Sequence, residues 1–128
     1  MLSKRLIKSN DAGGGACTNT VDLYNPFPDG GGVALYQLNG DATDVSGNYD
    51  GTASNVTYGA GEFGQAGVFN GSSSLVKIND NSIFSPVNND LSISVWFKST
   101  STSEQHIISK GASGNYEWSL YLNTDGTL

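Results

Sequence analysis

From Val33 onward, short apolar segments alternate with polar turns, and within them the period is two residues rather than the roughly 3.6 of a helix. Residues 91–98 (LSISVWFK) show this most clearly. Leu91, Ile93, Val95 and Phe97 fall on one face, with Ser92, Ser94, Trp96 and Lys98 on the other, which predicts a half-buried strand. Residues 33–38 (VALYQL), 66–69, 75–78, 106–109 and 116–122 (YEWSLYL) predict further strands, and 52–58 a short irregular one. In 75–78, Val76 and Ile78 share a face and Lys77 takes the other; in 116–122, Tyr116, Trp118, Leu120 and Leu122 share a face. Asn70-Gly71 favours the positive backbone angles of a hairpin turn, so 66–69 and 75–78 are expected to pair across a loop of about five residues. Seven short strands, frequent turns and no amphipathic helix predict an all-β fold, an antiparallel β-sandwich or jelly roll.

Residues 1–32 lack this periodicity and read as a flexible leader and linker, closed by the breaker NPFPDGGG. One domain is expected over 33–128, and the eleven of the 17 glycines that fall in it suit its turns. The basic start MLSKRLI is interrupted by Lys8, Ser9, Asn10 and Asp11 before an export signal can form, and no run approaches the roughly 18 apolar residues of a membrane span. Cys17, the single cysteine, has no internal disulfide partner and reads as an unpaired thiol in the leader. The net charge of −6 understates the acidity of the body, because residues 9–128 set Lys77, Lys98 and Lys110 against all 12 acidic residues. Such a surface repels phosphate backbones, which disfavours nucleic-acid binding.

The ordered motifs ALYQLNGDATDVSGNYDGT, GEFGQAGVFNGSSSLVKI, LSISVWFK, HIISKG and LYLNTDGTL resemble the laminin-G-like branch of the concanavalin A-like lectin/glucanase superfamily. The resemblance covers residues 33–128 and implies a jelly roll of two antiparallel sheets. It also implies strands beyond the Asp125-Gly126 turn, including the partner of the first strand. An incomplete sandwich is therefore expected, either truncated or completed by another chain, with exposed apolar faces and unpaired edges. The leader and GGGVALYQLNG are similar to the starts of laminin-G-like proteins of tailed marine phages. That implies a virion or tail appendage, and a location on the virion or outside the cell after release.

Retaining glucanases of that superfamily need two carboxylates about 5 to 5.5 Å apart. Glu62, Glu104 and Glu117 are the only glutamates and do not cluster; Glu117 reads as a solvated strand residue. His106 has no second histidine or nearby cysteine for a transition-metal site and no recognisable triad pattern, and reads as a strand-end residue. The loop carrying Asp41, Asp44, Asn48 and Asp50 offers the hard oxygens that Ca2+ takes. Its spacing does not match an EF-hand, and a metal-free Asx-rich turn is the stronger reading. Among the aromatics, Trp118 is expected in the core beside Leu120 and Leu122. Trp96 and Tyr121 are the ligand candidates, since a ring covers the C–H face of a sugar while Asn and Ser take its hydroxyls. For Trp96, burial beneath a loop is the stronger reading.

The leading expectation is a non-enzymatic recognition module for carbohydrate, such as a cell-surface glycan, or for protein, with calcium assistance in one version. The alternatives are a glycoside-active enzyme whose catalytic residues lie in a missing C-terminal part, and a structural decoration domain.

Overall fold

The computed structural model describes residues 32–87, 90–112 and 114–128. The expected leader up to residue 31, with Cys17, lies outside the described residues. Six strands occur among the described residues: β1 (Gly51–Ser54), β2 (Thr57–Ala60), β3 (Gln65–Val68), β4 (Leu75–Ile78), β5 (Gln105–Ala112) and β6 (Asn115–Leu122). All pair antiparallel, in three two-stranded ladders. One 3-10 turn, Ser82–Phe84, is the only helical element among the described residues. The all-β reading therefore holds.

The expected pairing of 66–69 with 75–78 does not occur. β3 pairs with β2, and β4 pairs with β1. The four strands form one interrupted hairpin whose tip is the GEFG stretch, where the Gly61 N–H donates to the Gly64 carbonyl at 2.9 Å. The NGSSS stretch is instead a side loop. The Asn70 side-chain oxygen accepts from the backbone N–H groups of Ser72, Ser73 and Ser74 at 2.9–3.0 Å. A local side-chain cap of this kind competes with hairpin closure. On the opposite strand Asn55 takes a positive φ of 51° and bonds across to Ser73, so the irregular strand expected at 52–58 becomes β1 and β2.

Two expected strands are absent. Residues 33–38 make a single bridge, Tyr36 to Asp44, because the Leu35 N–H is taken by the Asp44 carboxylate and Leu38 turns to φ 52°. Residues 91–98 have no ladder partner among the described residues. Alternation assigns faces, but a strand also needs a neighbour's N–H and C=O groups. Leu91, Ile93, Val95 and Phe97 stay about 40% exposed (41, 40, 41 and 42%). Trp96, expected beneath a loop, is 84% exposed.

β5 and β6 are the longest strands, and their register slips twice, between His106 and Ile108 and between Lys110 and Gly111. The second slip makes Glu117 an extra residue opposite that step. A bulge reverses the side on which later residues emerge, and Tyr116 accordingly meets the His106 ring, with centroids 4.8 Å apart, as Tyr121 does at 5.6 Å. The expected face of Tyr116, Trp118, Leu120 and Leu122 thus loses Tyr116. Trp118 is half-buried, and its indole N–H donates to the Phe84 carbonyl at 2.8 Å. That bond and an edge-to-face contact of Phe84 with Tyr49, at 5.0 Å, tie this hairpin through the 3-10 turn to the 44–50 loop. Among the described residues, Ala42 is the only buried hydrophobic side chain and Asp44 the only buried charged one.

Candidate functional site

Two surfaces bring polar and aromatic groups together. The first is an open cleft of about 300 Å³ between residues 47–50 and residues 78–81. Gly47, at φ 74°, turns the chain back so that Asn48, Tyr49 and Asp50 form one wall. The end of β4 and the following Asn79, Asp80 and Asn81 form the other. Asp50 gives one oxygen to the Asp44 N–H at 2.9 Å, and Asn81 caps the 3-10 turn through Ile83. Asp80 pairs at 2.9 Å with the Lys110 ammonium, which also holds Glu117 at 2.7 Å. Hydrogen bonding and charge from Lys110 hold Asp80 below the ordinary carboxylate range, and bonding to Lys110 does the same for Glu117.

The four residues of the expected calcium loop are divided between different tasks. Asp44 is 3% exposed, and its carboxylate accepts from the N–H groups of Leu35, Ser46 and Tyr49 and from the Ser46 hydroxyl. A carboxylate has about four lone-pair sites, so none of those on Asp44 is left for a cation. Asp41 is exposed and accepts from the Thr43 N–H and hydroxyl, bonds that hold it below its ordinary value. Asn48 and Asp50 face the cleft. No group of three or more acidic, histidine or cysteine side chains is placed to hold a metal ion among the described residues. As a single calcium ligand set, these four residues do not fit.

The second surface is the outer face of the β5–β6 hairpin. His106 and Tyr121 are cross-strand partners, so their rings lie side by side, and the bulge adds Tyr116. Ser119 Oγ lies 2.8 Å from His106 Nδ1, and Glu104 Oε1 lies 3.6 Å from Nε2. A serine, an imidazole and a carboxylate in series invite comparison with a nucleophilic triad. At 3.6 Å, however, the carboxylate is in ion-pair rather than hydrogen-bond range, so in this geometry it does not hold the imidazole in one tautomer as a triad acid does. What the cluster presents is three rings rimmed by a hydroxyl and a carboxylate, with Tyr121 38% exposed.

Of the two expected ligand residues, Tyr121 belongs to this cluster, and Trp96 stands exposed on the 91–98 segment, which has no ladder partner among the described residues. The structure adds His106 and Tyr116 to the aromatic cluster on the β5–β6 hairpin and Asn79, Asp80 and Asn81 to the cleft. The cleft residues carried a readable signal, an Asx-rich run directly after a strand. The inclusion of Tyr116 did not, because it depends on the bulge.

No family model, curated protein or solved structure matches this chain. No helix among the described residues is long and apolar enough to cross a membrane.

Proposed function

We propose that the chain is a non-enzymatic carbohydrate-recognition module of laminin-G-like type, with its ladders assembled as part of a jelly-roll sandwich. The observation that carries this reading is the cluster of His106, Tyr116 and Tyr121 on an open strand face, with Ser119 at its edge. Ring faces attract the C–H faces of pyranoses, and the polar rim orients their hydroxyls. A virion or tail appendage, or the extracellular space after release, is the setting in which such a module would meet cell-surface glycans. Tyr121→Ala is expected to weaken glycan binding about three- to tenfold, the worth of one well-placed ring contact, with Trp96→Ala as the parallel test of the second ligand candidate. A glycan array blank for the unaltered chain would sink the proposal.

The segment 91–98 favours a second reading, in which another chain adds a strand and completes the sandwich. Its alternating apolar side chains stay exposed and it has no ladder partner among the described residues, which is the form of a strand-addition site. Val95→Lys is then expected to abolish association in light scattering while leaving the β5–β6 amide signals in place. A chain that is monomeric at high concentration and binds no partner would count against this reading.

A further inference from the structure

We infer that the cleft between residues 47–50 and 78–81 is a second binding site, built for an uncharged polyhydroxylated ring and closed to its anionic counterparts. At about 300 Å³ it has the volume of a site for one small ring. Its walls carry three amides, on Asn48, Asn79 and Asn81, which can donate to and accept from hydroxyls. Asp50 commits one oxygen to the Asp44 N–H, and Asp80 accepts from Lys110 and from the Asn81 N–H, so each carboxylate keeps lone pairs for a ligand hydroxyl.

Charge sets the selectivity. Two carboxylates line the cleft, and the cation beside it, Lys110, is shared between Asp80 and Glu117. A ligand carboxylate or sulfate would meet Asp50 with no compensating cation among the lining residues, and like charges a few ångströms apart repel even near a surface. The inference takes the sugar character of the ligand from the carbohydrate reading, but its location rests on the cleft alone.

Amide chemical-shift mapping on the full chain tests both. The probes are the methyl glycosides of glucose, galactose, mannose and N-acetylglucosamine, set against glucuronate and galacturonate. The expected result is saturable shifts at residues 47–50 and 78–81 with at least one neutral glycoside, and about tenfold weaker binding of the uronates. In Asp50→Asn/Asp80→Asn the gap should close, while Asn79→Ala should lose the neutral ligand. Asp50→Asn keeps an oxygen for the Asp44 N–H, and an unchanged amide spectrum elsewhere verifies the fold. Shifts confined to residues 105–122 would overturn the cleft site and leave the aromatic surface standing. Uronates binding as tightly as neutral sugars would overturn the charge selection, and no shift with any probe would overturn both sites.

Discussion

Asp44→Ala is expected to destabilise the protein by about 3 kcal/mol, the largest loss for any single side chain described here. The carboxylate is buried and serves four donors from three residues, Leu35, Ser46 and Tyr49, that approach from both sides of the turn. Removing one acceptor leaves several backbone N–H groups unsatisfied at once, and an orphaned buried donor costs about 1–3 kcal/mol. Water entering the opened loop recovers part of that cost, which keeps the total near the lower sum. Asp44→Asn retains one acceptor oxygen but brings an amide N–H toward donors, and is expected to fall between the two. Urea denaturation gives the magnitude. Hydrogen exchange at the Leu35, Ser46 and Tyr49 amides locates it, since these should lose protection before the β5–β6 ladder does.

The same group gives a pH dependence of definite sign. Burial pushes Asp44 up, but the bonds from the Ser46 hydroxyl and the three backbone N–H groups outweigh it, so its value lies below the ordinary 3.8. A carboxyl depressed in the folded state contributes stability that is fully present above the unfolded value and is lost as pH falls through the folded one. The loop should therefore loosen only below about pH 4, and the alanine variant should lack that acid transition. Tyr36 shows the opposite end of the same network. Burial first, then the charges of Asp44 and Asp50, push its phenol up to about 12, while its O–H donates to the Tyr49 carbonyl.

The parts of the fold legible in the sequence are those decided by one strand's own alternation. In β4, Val76 and Ile78 are half-buried and Lys77 exposed, as their spacing predicts. Partner choice was not legible, because it depends on groups remote in sequence. Asn70-Gly71 carries a strong hairpin signal, yet the Asn70 side chain binds the three serines that follow, and the reversal moves to GEFG. Residues 91–98 have the cleanest alternation in the chain and no ladder among the described residues, since periodicity says which face is apolar but not what covers it. The candidate site divides the same way. Tyr121 was visible from its place on a strand face, whereas His106 read as an isolated residue until the register set it beside Tyr121.

Gly111→Ala is expected to cost about 3 kcal/mol and also to disperse the aromatic surface. Gly111 sits at the second register slip with φ 116°, a region that side chains with a Cβ avoid. A Cβ there would lie 2.5 Å from the Asn115 carbonyl oxygen and 2.8 Å from Tyr116 Cα, both backbone atoms that cannot swing aside. Backbone strain of about 1–2 kcal/mol and overpacking of about 1–3 kcal/mol act together. Gly114 is the control: it too has positive φ, at 82°, but nothing lies within 4 Å of its Cβ position, so Gly114→Ala should lose only the strain component. The relief open to the Gly111 variant is to straighten the bulge, and that would return Tyr116 to the Trp118 side of the strand. Loss of the His106–Tyr116 ring contact, read as loss of ring-current shifts on the imidazole protons, should then accompany the fall in stability. Destabilisation with those shifts intact would show that the bulge persists and that Tyr116 is held on the His106 face by something other than the Gly111 step.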